Sequence, residues 1–161
     1  MAEMAEMRKG NFLIVTGLSG AGKTMASRIF EDIGFFCVDN LPTPLISRFA
    51  ELVLQSEGSI QNVCLVVDSR SNHFGDGIQS ALDELDKMGI VYEILFMTAS
   101  DECLVNRFKE SRRQHPLSPE GNLLEAIQAE RNELQYLRGI ADRIIDTSRL
   151  SGKALRQEIL S

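Results

Sequence analysis

Eight residues, Gly17-Leu18-Ser19-Gly20-Ala21-Gly22-Lys23-Thr24, constrain this chain more than any other feature. They fit the Walker A spacing G-x-x-x-x-G-K-[ST]. They also stand where that spacing has a physical meaning, after an apolar run from Asn11 to Thr16 and at the start of a helical pattern from Lys23 to Ile33. A strand that feeds a glycine loop and then a helix turns successive backbone N–H groups inward, and the helix N-terminus adds its partial positive charge. The segment is therefore expected to be a phosphate-binding loop, with Gly17, Leu18, Ser19, Gly20, Ala21 and Gly22 forming the cradle. Lys23 is expected to reach the β- and γ-phosphates as a point charge, and the Thr24 hydroxyl to ligate Mg²⁺.

The rest of the chain keeps alternating strand and helix. In the first helix Met25, Ile29 and Ile33 recur at four-residue steps, and Gly34 stops it before a second apolar run, Phe35 to Val38. Asp39-Asn40-Leu41-Pro42 breaks that strand. Pro44 then opens a helix to about Gln55, with Leu45, Phe49, Leu52 and Val53 as its apolar stripe. Strands are expected at Asn62 to Asp68, Val91 to Met97 and Arg143 to Asp146. Helices are expected at Gly77 to Met88, Asp101 to Lys109, Leu123 to Arg138 and Ser151 to Leu160. Ser111 to Gly121, with two prolines, a glycine and no apolar period, is expected to be a mobile loop. This alternation predicts an α/β fold, a three-layer α-β-α sandwich around a mostly parallel sheet of about five strands. Residues 11–161 are expected to form one domain behind a frayed tail, residues 1–10.

Composition narrows the function classes. A chain of 161 residues with 43% hydrophobic and 25% charged residues has globular composition. A net charge of -6 is the wrong sign for broad binding to a nucleic-acid backbone. The longest apolar run, Val63 to Val67, is too short to span a bilayer, and the start lacks a signal peptide's apolar region, so a cytoplasmic protein is expected. Cys37, Cys64 and Cys103 are widely spaced and form no C-x-x-C pair, which predicts three buried, reduced thiols.

Other residues fall where a phosphate site needs partners. Asp68 ends an apolar strand, the Walker B placement. Its carboxylate is expected at the carboxyl edge of the sheet to hold Mg²⁺ directly or through water, the alternative being a cap on the following turn. Asp39 also ends a strand; a functional part, orienting a nucleophile or touching Mg²⁺ through water, and turn formation are equally open to it. Arg112 and Arg113, with Arg107 and His115, lie on or just before the proline-bearing loop, a placement suited to a lid that closes cations over a triphosphate. A solvated basic loop is the other reading. Lys23, Asp68, Arg112 and Arg113 are thus the catalytic candidates. The turn Asp146-Thr147-Ser148 follows the last strand, where a nucleotide's base or ribose is often met.

Five segments together carry a resemblance: GLSGAGKT at 17–24, CVDNLP at 37–42, DSRS at 68–71, RRQHPL at 112–117 and ADRIIDTS at 141–148. In combination they resemble the RapZ/YvcJ family of bacterial nucleotide-binding proteins. The resemblance implies a kinase-like P-loop NTPase fold that binds ATP and GTP and hydrolyses them slowly with Mg²⁺ in a regulatory role. It assigns the ATP site to Gly17 through Thr24, and a guanine-nucleotide segment to Asp68, Ser69, Arg70 and Ser71, the last often Asn in the family. Family members also carry a C-terminal domain linked to RNA and protein partners. This chain looks like the N-terminal half, so a protein partner is expected through that other domain, and no RNA binding by this one. A kinase for a small metabolite or nucleotide is the competing expectation, and a binding module with a dead site a third.

Overall fold

The computed structural model describes residues 11–68, 77–111 and 122–161. In chain order the elements are β1 (Asn11–Gly17), α1 (Lys23–Asp32), β2 (Phe36–Asp39), a 3-10 turn (Thr43–Leu45), α2 (Ile46–Gln55), β3 (Asn62–Val66) and α3 (Gly77–Lys87). Then come β4 (Tyr92–Thr98), α4 (Asp101–Ser111), α5 (Leu123–Glu133), α6 (Gln135–Ile140), β5 (Arg143–Asp146) and α7 (Gly152–Leu160). The strands form one five-stranded sheet in the order β2-β3-β1-β4-β5, and every pairing is parallel.

The order follows from burial. β1, β3 and β4 are nearly continuous apolar runs, as strands covered on both faces must be, and they take the three inner positions. The two edge strands, β2 and β5, are only four residues long, which limits the unpaired backbone left at the margins. All five strands run the same way, so their carboxyl ends meet at one edge, with β1 at the centre.

The helices bury faces that match the apolar stripes expected from sequence only in part. In α1 the buried residues are Ala26, Ile29 and Phe30, while Met25 and Ile33 are largely exposed. In α2 Ile46 and Ala50 are buried and Phe49 and Val53 pack against the core, while Leu45 and Leu52 face outward. In α1 the cause is the spacing: a step of four residues advances about 40° beyond a full turn, so the row 25, 29, 33 drifts off the core at both ends.

The single helix expected over Leu123 to Arg138 is two helices, α5 and α6. Leu134 lies between them with φ -95° and ψ 4°. Leu134 and Leu137 both lie in the core. Of the three cysteines only Cys64 is fully buried, beside Cys37 in the β2–β3 register; Cys37 and Cys103 are half-buried. Burial pushes both the Cys64 and Cys37 thiols up, which keeps them protonated at neutral pH. The tail 1–10 and nearly all of the expected mobile loop, residues 112–121, lie outside the described residues.

Two features of β1 yield measurable expectations. At its end Gly17 has φ 138°, and a Cβ there would sit 2.1 Å from the Met97 carbonyl oxygen of β4. Gly22 has φ 110°, but a Cβ would find nothing closer than 3.7 Å. Gly17→Ala should therefore cost about 3 kcal/mol or more in urea unfolding, from overlap plus backbone strain, while Gly22→Ala should cost about 1–2 kcal/mol from strain alone. Equal losses would contradict the close approach. Thr16 is fully buried, and its hydroxyl has no hydrogen-bond partner among the described residues. Thr16→Val keeps the shape and removes that idle hydroxyl, so it should raise stability by about 1 kcal/mol in the same assay.

Candidate functional site

The segment between β1 and α1 is a loop fixed from beneath and open above. Leu18 and Ala21 are buried in the core and act as its anchors, whereas Gly20 is exposed and Ser19 and Gly22 are half-buried. The Leu18 amide donates to the Met97 carbonyl at 3.1 Å, which locks the start of the loop onto β4. Helix α1 begins at Lys23 behind Gly22, which offers no side chain to cap it, and has no acidic residue in its first turn. Its first amides and positive dipole end thus point out of the carboxyl edge of the sheet, a setting suited to an anion. The Lys23 ammonium folds over the loop and donates to the Gly17 carbonyl at 2.8 Å.

The loop is also clamped from outside. Arg107 of α4 donates from Nη1 to the Gly20 carbonyl at 2.9 Å and to Thr147 Oγ1 at 2.9 Å, and from Nη2 to the Thr147 carbonyl at 2.7 Å. The buried Thr147 hydroxyl donates to the Ala21 carbonyl at 2.7 Å. Two successive loop carbonyls are therefore tied to groups outside the loop, and the Leu18 and Ala21 amides are engaged as well, with the Met97 and Leu18 carbonyls. Arg107, grouped by its sequence position with the lid cations, is a clamp joining α4, the loop and the turn after β5.

That turn is itself braced. Asp146 accepts from the Ser148 amide at 2.9 Å and from its hydroxyl at 2.6 Å, and these donors hold its carboxyl below the usual range. The Ser148 hydroxyl oxygen accepts in turn from the Ser100 amide at 2.7 Å.

Glu130 of α5 is a member of the site that the sequence did not announce. It is 1% exposed and accepts both the Ser19 amide and the Ser19 hydroxyl. The one available hint was a carboxylate falling on the helix face shared with Ala126, Ile127 and Leu134, all of them buried.

Of the expected residues, Asp68 stands two positions beyond the end of β3 and is nearly buried. The register places Val66 beside Val15, so Asp68 is level with Gly17 at the head of the loop. Thr24 is exposed in the first turn of α1. Asp39 ends β2 at the same edge and is exposed, followed by Asn40 in the left-handed region with φ 64°, so the turn-forming role of this pair is realised. Ser69, Arg70, Ser71, Arg112, Arg113 and His115 lie outside the described residues. Among the described residues no three His, Cys, Asp or Glu side chains gather at metal-ligand spacing. Thr24 and Asp68 do supply the hard oxygen donors suited to Mg²⁺, an ion held through one or two protein oxygens together with phosphate and water.

Comparison with known proteins agrees with this geometry. Nucleotide-binding proteins of Clostridium kluyveri and Clostridium botulinum are each 55% identical over 148 residues, covering 92% of this chain and 50% of theirs. The chain thus spans about half the length of the curated relatives it matches. Among solved structures, shikimate kinase from Acinetobacter baumannii in complex with shikimate aligns over 97% of this chain and 94% of its own, with a TM-score of 0.62 at 17% identity. Shikimate kinase from Bacteroides thetaiotaomicron aligns over 92% and 96%, with a TM-score of 0.61, also at 17% identity. The fold is that of the P-loop kinases, as the family resemblance implies, around the parallel sheet that the alternation of strands and helices predicts. No described helix is long and apolar enough to cross a membrane. The model of the RapZ-like N-terminal domain matches residues 11–161, and the chain belongs to that family.

Proposed function

We propose that this domain binds nucleoside triphosphate, ATP or GTP, in the loop Gly17 to Thr24 and hydrolyses it slowly with Mg²⁺ as a regulatory domain of the cytoplasm. The observation that carries the reading is the loop itself: anchored below, clamped outside through its carbonyls, and continuing into the uncapped N-terminus of α1. An anion there meets the dipole and first amides of α1, which are in place before binding, and the Lys23 ammonium, which leaves the Gly17 carbonyl for it. The clostridial relatives are nucleotide-binding proteins, which supports the same reading.

In this reading Lys23 exchanges the Gly17 carbonyl for β- and γ-phosphate oxygens. Thr24 and Asp68 would hold Mg²⁺, Asp68 partly through water, and the ion would supply neutralisation of phosphate charge. Arg112 and Arg113 are retained from sequence as the cations facing the departing γ-phosphoryl, and Ser69, Arg70 and Ser71 as the guanine-contacting segment. A partner protein is expected through the remainder of a longer chain of the relatives' kind.

Transfer to a hydroxyl acceptor is the second reading. It is favoured by the likeness to shikimate kinase and by Asp39, exposed at the same sheet edge and available to orient an acceptor. Turnover of ATP alone, compared with turnover on adding candidate hydroxyl acceptors, separates the two.

Two substitutions test the shared phosphate site. Lys23→Ala should weaken triphosphate binding by about ten- to a hundredfold, the loss of one charge-assisted contact of about 1.5–3 kcal/mol, while AMP binding changes little. Calorimetry that finds equal losses for AMP and ATP would remove Lys23 from its assigned role. Asp68→Asn keeps size and turn chemistry but loses the charge, so ATP affinity should cease to depend on magnesium while the circular dichroism spectrum is unchanged. Persistent magnesium dependence would return Asp68 to a structural part.

A further inference from the structure

Glu130 faces the P-loop from α5, across 111 residues of sequence, and takes both hydrogen-bond donors of Ser19. The Ser19 amide donates to Oε1 at 2.8 Å and the Ser19 hydroxyl to Oε2 at 2.7 Å. A hydroxyl has a single proton, so with that proton directed at Glu130 the Ser19 oxygen offers only lone pairs to anything else nearby. Both effects oppose an anion: two donors of the loop are withheld, and a buried carboxylate lies beside a loop whose other groups gather positive potential.

The neighbouring residue fixes the other side of the same helix turn. Arg131 donates from Nε to Asp101 Oδ1 at 2.8 Å and from Nη2 to the Ala99 carbonyl at 2.6 Å, and Gln128 donates to Asp101 Oδ2 at 2.5 Å. α5 is thus held to the β4–α4 corner by Arg131 and Gln128, and to the P-loop by Glu130. The first attachment involves no group of the P-loop. The second involves donors that a phosphate would compete for.

We infer that Glu130 is an affinity-lowering latch: it keeps the Ser19 donors turned toward α5, polyphosphate competes with its carboxylate for them, and nucleotide occupancy is thereby coupled to the packing of α5. The inference rests on the nucleotide reading above and concerns the regulation of that same site. Linkage makes the coupling reciprocal. Whatever loosens Glu130 from Ser19 tightens nucleotide binding, and nucleotide loosens α5 by the same factor. A latch that merely shaped the loop would do the opposite, since its loss would disorganise the cradle and weaken binding.

The sign of one measurement separates these outcomes. Glu130→Gln removes the charge and replaces one acceptor oxygen by an amide nitrogen that cannot accept, so one Ser19 donor is released. Calorimetry with ADP and a nonhydrolysable ATP analogue on the whole chain should show E130Q binding about tenfold more tightly than wild type, a difference of about 1.4 kcal/mol. Glu130→Asp keeps the charge and should show no such gain. In the wild type, hydrogen exchange over residues 123–133 should rise when the analogue binds, a readout that needs no variant to fold. Unchanged or weaker binding by a folded E130Q overturns the latch while leaving the nucleotide reading in place, as does increased protection of α5 in the wild type. Absence of binding by both proteins overturns the nucleotide reading and the latch with it.

Discussion

The close passage of Gly17 against the Met97 carbonyl of β4 is the constraint on which the site depends. β1 lies between β3 and β4 and pairs with both in parallel, so the backbone leaving β1 has no lateral room. Only a residue without a Cβ fits at the exit, and Leu18 then hydrogen-bonds to the same carbonyl. From that fixed point Leu18 and Ala21 drop into the core and α1 starts at Lys23. The loop is thus shaped by strand pairing and apolar burial before any ligand is considered, which is what preorganisation of backbone donors requires.

What surrounds the loop gives it polarity. Arg107 and Thr147 bind the Gly20 and Ala21 carbonyls from outside, so α4 and the turn after β5 serve the site without needing to touch a ligand. Glu130 binds donors rather than acceptors and so acts in the opposite electrostatic sense. A loop held by a cation at its carbonyls and by an anion at its amide and hydroxyl has a balance that can be altered from either side. α4 and α5 flank residues 112–121 in sequence, and they are the two helices that carry these opposed charges.

Much of the architecture was legible in the chain because local chemistry and tertiary demand agree. Continuous apolar runs mark β1, β3 and β4, since strands buried on both faces need no polar residue. The glycines at 17, 20 and 22 mark a backbone at positive φ, and at 17 a side chain would also collide with the Met97 carbonyl. Helix faces were less legible: Met25, Ile33, Leu45 and Leu52 are apolar yet exposed, while Ala26 and Ala50 are small and completely buried. A helix resting on a sheet selects small residues at its closest approach, so hydrophobicity alone misjudges which stripe is inside. The break at Leu134 escaped for a similar reason, because two leucines three residues apart suit one continuous helix as well as two.

The sequence by itself determined the phosphate-loop motif, the alternation that makes the sheet parallel, and the placing of Asp39 at the end of β2 and of Asp68 just past β3, because each rests on neighbours within a few residues. Only the tertiary structure decided that Arg107 grips the loop, that Thr147 holds Ala21, and that Glu130 bonds to Ser19. Those contacts join residues from 87 to 126 positions apart. A single Arg, Thr or Glu on a helix or turn carries no mark of the distant carbonyl or amide it will meet. Its partner is set by how helices stack on the finished sheet, and hydrogen bonding depends on distance and angle, which sequence spacing does not encode.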